Sequence, residues 1–174
     1  MAMTAAFGIK KATATDAAVL AKLGADTFYH TFRPHNTEED MQAYITKAYA
    51  REVILQNLAN ADIAYYLCYD GLEAIGYIKL LHNATYGVLQ QQCIELEKIY
   101  ILHNYFGTPT ATLLMQQAIA HAKQAGFKTL FLGVWQENER AVAFYKKMGF
   151  EVFDTRQFKL GSRLCEDFMM KLEL

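Results

Sequence analysis

Residues 129–150, reading TLFLGVWQENERAVAFYKKMGF, constrain this chain more than any other stretch. An apolar run over 129–134 reads as a strand, Trp135 and a polar break follow, and an amphipathic helix then ends at Gly149–Phe150. At about 100° per residue, with Asn138 at the origin of the wheel, Ala141, Val142 and Tyr145 fall on its face. Phe144 and Met148 extend the same apolar arc, while Glu139, Arg140, Lys146 and Lys147 take the opposite side. Asn138 and Tyr145 are thus two turns apart on a face that is otherwise core. Polar groups on such a face need partners, either nearby backbone or a ligand.

The rest of the chain reads as one domain over 1–174, long enough for a full core. Charge excludes some partners. Seventeen basic and eighteen acidic residues give a net charge of −1, without the broad basic footprint that nucleic acid demands. Cys68, Cys93 and Cys165 are widely separated and lack CxxC spacing, so buried thiols in a reducing cytosol are expected rather than zinc or disulfides. The first residues, MAMTAAFGIKK, do not resemble a signal peptide, and no apolar run approaches a membrane span of about 18 residues. A cytoplasmic enzyme or binding protein without metal is the expected class.

Along the chain, a short strand is expected at 7–11 and a helix at 17–28 with Val19, Leu20, Leu23 and Thr27 inward. A second helix starts at Thr37 with three acids in its first turn, and a third covers 51–58. Strands at 63–69 and 73–81 flank Asp70-Gly71, a hairpin signal. Over 93–102, Cys93, Glu95, Glu97, Ile99 and Ile101 alternate with Ile94, Leu96, Lys98 and Tyr100. Thr108-Pro109 opens a helix that Gly126 closes, and two strands at 151–158 and 163–172 surround a turn at 159–162. Gly71 and Gly76 superficially suggest half a phosphate-binding loop, but the Lys-Ser/Thr pair is missing.

Asn138, Ala141, Phe144, Tyr145, Lys147, Gly149 and Phe150 form N-x-x-A-x-x-F-Y-x-K-x-G-F, which resembles the C-terminal motif of GNAT-family N-acetyltransferases. The order of elements resembles that fold over nearly the whole chain. Within the family it looks most similar to the PaiA-type polyamine acetyltransferases, through Thr27-Phe28, Thr31-Phe32, the 95–101 strand and Leu132-Gly133-Val134-Trp135. The resemblance implies an α/β (α+β) architecture, a mixed, mostly antiparallel sheet of about six or seven strands flanked by helices on both faces.

It also implies a chemistry: direct transfer of an acetyl group from acetyl-CoA to a primary amine of a small molecule, a polyamine first, with no covalent acetyl-enzyme and no metal. Tyr145 is then the acid that protonates the departing thiolate, and Asn138 lies near the pantetheine arm. Either Glu95 or Glu97 takes the amine proton or binds a cationic substrate. A backbone amide at a bulge around 99–102 polarises the thioester carbonyl, with Ile99, Tyr100 and Ile101 along the cofactor. Gly107, Thr108, Thr110, Ala111 and Thr112 form the pyrophosphate loop at a helix N-terminus. Here Thr108 and Thr110 stand where the family places glycine and glycine or alanine, and Tyr105 where it places glutamine or arginine. Phe28, Tyr29, Phe32, Glu97 and Trp135 are expected around the acceptor. Alternatives are a protein N-terminus or another amine as acceptor, or a weakly catalytic ligand-binding module with a regulatory role. A homodimer is expected by the same analogy.

Overall fold

In the computed structural model, which describes residues 7–90, 92–160 and 163–174, one seven-stranded sheet carries helices on both faces. The elements are β1 (Phe7–Lys11), α1 (Ala17–Phe32), α2 (Glu38–Ala48), α3 (Arg51–Ala59), β2 (Ile63–Asp70), β3 (Glu73–His82), β4 (Cys93–Ile101), α4 (Thr110–Gln124), β5 (Thr129–Trp135), α5 (Glu139–Lys147), β6 (Glu151–Leu160) and β7 (Arg163–Glu173). The expected elements are all present. Gly161 and Ser162 of the expected turn, and the first six residues, lie outside the described residues.

Two helical details differ. The first helix runs to Phe32, four residues beyond its expected end, because Phe28 and Phe32 pack on each other one turn apart (centroids 4.5 Å), and a 3₁₀ turn containing Pro34 follows. Val19, expected inward, is 38 % exposed; Leu20, Leu23, Gly24, Thr27 and Phe28 hold the buried face. The second helix starts as expected, with the Thr37 hydroxyl accepting from the Asp40 N–H at 3.2 Å.

The sheet order is β1-β2-β3-β4-β5-β7-β6, antiparallel throughout except for β4 and β5. One core lies between the sheet and α4 and α5, around Leu80, Ile94, Leu96, Leu114, Met115 and Val142. A second lies under α1, α2 and α3, around Leu20, Phe28, Met41, Ile54, Leu67 and Tyr77, and a smaller third around Leu89, Phe131 and Met169.

Gly76 lets α4 and β4 approach β3. A Cβ built there would sit 2.7 Å from Ile101 Cγ2 and 2.9 Å from the Tyr100 carbonyl oxygen. Gly76→Ala is therefore expected to destabilise the fold by about 1–3 kcal/mol, read as a lower denaturation midpoint. An unchanged midpoint would mean that β4 yields easily.

Two features of β4 create the site. The parallel β4–β5 register covers only three pairs, from Cys93↔Thr129 to Glu95↔Phe131. From Leu96 onward the strands part, and β4 peptide groups directed at β5 have no strand partner. In addition, Lys79 pairs with Lys98 but Leu80 pairs with Leu96, so Glu97 is an extra residue, a β-bulge. The bulge lies before the expected 99–102 and breaks the alternation read from the sequence. Ile94 and Leu96 pack in the core under α4, and after the bulge Ile99 and Ile101 do so as well. Glu95 and Lys98 consequently share the opposite face.

Candidate active site

A cavity of about 830 Å³ lies at the wedge between β4 and β5 and is lined from both sides of the sheet. On the α4–α5 side it is walled by Phe106, Gly107, Thr108, Ala111, Thr112, Asn138, Arg140 and Tyr145. On the α1–α3 side it is walled by Phe28, Phe32, Tyr44, Glu95, Lys98, Arg156, Phe158 and Asp167, with Ile99, Tyr100 and Ile101 along the wedge.

The loop before α4 folds on its own hydroxyls. Thr108 Oγ1 donates to the Tyr105 carbonyl at 2.7 Å and lies 2.8 Å from Thr110 Oγ1. Thr110 is fully buried and is not on the cavity wall, so its side chain does not obstruct the approach. The helix begins at Thr110, with Pro109 in its helical conformation at the cap. Gly107, at φ +80°, turns the chain, and a Cβ there would meet nothing within 4 Å. The N–H groups of Ala111 and Thr112 belong to the first helical turn, which leaves such donors without intrahelical partners and favours an anion. The residues present therefore fit a pyrophosphate without the family's glycines. Tyr105 points elsewhere, with its hydroxyl 3.2 Å from both Asp70 Oδ2 and Glu73 Oε2 at the hairpin.

The α5 end is set by two local motifs. Asn138 is the N-cap rather than a helical residue: its Oδ1 accepts from the Ala141 N–H at 3.3 Å, leaving Nδ2 as the donor it can offer a ligand. At the other end, the Gly149 N–H donates to the Lys146 carbonyl and the Phe150 N–H to the Tyr145 carbonyl, both at 3.0 Å, around a Gly149 φ of +93°. Phe150 closes on Tyr145, with ring centroids 6.0 Å apart. This cap holds the Tyr145 ring in place. Burial pushes its phenol pKa well up, only partly offset by Arg140, so the group keeps its proton.

Across the wedge, Glu95 and Glu97 have separated fates. Glu97, at the bulge, forms an ion pair with the nearly buried Lys79 at 2.5 Å. Glu95 has no ion-pair or hydrogen-bond partner among the described residues. Burial first, and Glu97 second, raise its pKa above the usual carboxylate range, against the pull of Arg156, Lys79 and Lys98.

Of the expected acceptor residues, Phe28, Phe32, Glu97 and Trp135 reach the cavity. Phe28 stacks on Tyr44 with centroids 4.2 Å apart. Trp135 contacts Phe32 and His35, at 6.2 and 4.8 Å. Tyr29 is turned away, its hydroxyl donating to Glu38 at 2.7 Å.

Several wall residues escaped the sequence reading. Arg140, placed outward by the helical wheel, lies with its guanidinium 3.6 Å above the Phe106 ring. The wheel is right that the residue is exposed, and its stacking on Phe106 at the cavity wall is a tertiary contact that no wheel reports. Arg156 and Asp167, register partners on β6 and β7, pair at 3.2 Å. Burial raises the Asp167 pKa and Arg156 opposes it. Their one sequence signal was Gly133, where a Cβ would sit 2.6 Å from Arg156 Nη2.

Among the described residues, no cluster of three or more His, Cys, Asp or Glu is arranged to hold a metal. No helix among the described residues is long and apolar enough to cross a membrane.

Comparison with known proteins shows the family to which the chain belongs. The chain is 33 % identical over 170 residues to an uncharacterized N-acetyltransferase of Mycobacterium bovis, covering 92 % of this chain and 99 % of that one. It is 25 % identical over 151 residues to a spermidine N(1)-acetyltransferase of Thermoplasma acidophilum, covering 84 % and 89 %. A crystal structure of the PaiA N-acetyltransferase of Thermoplasma acidophilum in complex with coenzyme A superposes with a TM-score of 0.82 at 25 % identity, covering 99 % and 100 %. The acetyltransferase (GNAT) family matches residues 25–150, spanning the wedge, the α4 N-terminus and Tyr145, and the chain belongs to that family of acyltransferases.

Proposed function

We propose that this protein transfers an acetyl group from acetyl-CoA directly to a primary amine of a small molecule. The observation that carries this reading is the cavity itself, in which first-turn amides of α4, the open edge of β4, the Tyr145 phenol and the unpaired Glu95 carboxylate share one space. The thioester supplies the activated acyl carbon. The N–H groups of Ala111 and Thr112, with Gly107 turning the loop, hold the pyrophosphate, and Arg140 and the Asn138 Nδ2 flank the pantetheine. An unpaired β4 amide receives the charge that develops on the carbonyl oxygen. Glu95 accepts the ammonium proton, directly or through water, so that the nitrogen lone pair attacks the acyl carbon. As the C–S bond breaks, the Tyr145 O–H donates its proton to the sulfur, and the second proton that the nitrogen sheds on becoming an amide restores the phenol. Spermidine is the reference polyamine for the assay, because the Thermoplasma relative is a spermidine acetyltransferase and aromatic rings beside carboxylates suit an ammonium. Lys98 on the same wall bears on whether a polycation or an amine with an anionic group is preferred.

The test starts with cofactor binding. Acetyl-CoA at a hundred times its dissociation constant should stabilise the fold by about 2.7 kcal/mol, visible as a higher melting temperature. Release of free thiol on adding spermidine would then report transfer. No melting shift at millimolar acetyl-CoA would overturn the reading.

A further inference from the structure

The charges on the α1–α3 side of the cavity do not all cancel one another. Glu97 is paired with Lys79, and Asp167 with Arg156. Glu95 and Lys98 also line the cavity, and neither has an ion-pair partner within 4.0 Å among the described residues. In a regular strand, residues three apart point to opposite faces. The bulge at Glu97 cancels that alternation and turns the Glu95 carboxylate and the Lys98 ammonium to the same face. Lys98 is held there by Tyr49, with Nζ 5.6 Å from the ring centroid, and burial lowers its pKa against the pull of Glu97 and Glu95. An ammonium largely taken from water with no carboxylate in contact is costly, and an anion delivered by a ligand relieves that cost.

On the reading of this cavity as an acetyltransferase site, we propose that the acceptor carries a carboxylate or similar anionic group beside its amine, the amine lying at Glu95 and the anion on Lys98. The two Cα atoms are at most about 10 Å apart along the strand, a gap that a molecule of amino-acid size bridges. A bare polyamine would instead set a second ammonium against Lys98. Lys98 is thus a specificity residue that separates zwitterionic amines from polycations.

L-lysine and cadaverine differ by one carboxylate and test this directly, with spermidine as the polycation. The full-length protein and its Lys98→Met and Lys98→Glu variants would be assayed for kcat/KM on all three. The native protein should prefer L-lysine over cadaverine by about 10- to 100-fold, the worth of one charged hydrogen bond. Lys98→Met should erase that preference and Lys98→Glu should reverse it, each keeping its melting shift with acetyl-CoA. Equal or better use of cadaverine or spermidine by the native protein would overturn the proposal, as would an equal loss on all acceptors in both variants. Failure to acetylate any of the three, with the acetyl-CoA melting shift intact, would also overturn it. A missing melting shift would instead sink the acetyltransferase reading beneath it.

Discussion

Replacing Tyr145 with phenylalanine should lower kcat by about 10²- to 10⁴-fold while leaving the KM for acetyl-CoA and the melting temperature near their native values. The ring makes the packing contacts, with Phe144 at 5.5 Å and Phe150 at 6.0 Å, and phenylalanine preserves both. The hydroxyl has no hydrogen-bond partner among the described residues, so removing it strands no buried group. What disappears is a phenol that burial keeps protonated, positioned across the wedge from β4. A leaving thiolate would then take its proton from water. Steady-state kinetics with the variant decide the matter: a kcat within about twofold of native would mean that another donor protonates the sulfur.

The second large effect concerns Glu95. Glu95→Gln should reduce kcat/KM by about 10²- to 10⁴-fold and remove the acid limb of the pH profile. The sign follows from the direction of the shift. A base works in its deprotonated form, and burial together with Glu97 raises the Glu95 pKa. Native activity should therefore fall as pH drops through a value above the usual carboxylate range, a limb the glutamine cannot show. Glu97→Gln is the contrasting case. It removes the partner of the nearly buried Lys79, so stability should fall while the acid limb persists. If Glu97→Gln abolished the limb and Glu95→Gln retained it, the roles would be reversed.

Whether the loop could hold coenzyme A turned on two side-chain directions. A threonine at 108 or 110 obstructs backbone approach only where its side chain points at the ligand. Thr110 is buried and off the cavity wall, and the Thr108 hydroxyl, on that wall, closes on the Tyr105 carbonyl. Here hydroxyl contacts order the turn. No periodicity or spacing in the sequence reports which way a loop side chain faces.

Local patterns in the chain were enough to define the order of strands and helices, the caps at Thr37, Gly126 and Gly149, and the family motif around Tyr145. Each of these is set by neighbours within a turn or a strand, where apolar period and capping chemistry act directly. The tertiary structure alone decided the rest. The bulge at Glu97 depends on how β3 and β4 register, and it turned Lys98 toward Glu95. The pairing of Arg156 with Asp167 depends on β6 meeting β7, and the placement of Arg140 on a ring more than thirty residues earlier in the chain. Charges in a cavity are sorted into paired and unpaired by contacts between distant segments, and that sorting separates the candidate base Glu95 from its neighbour Glu97.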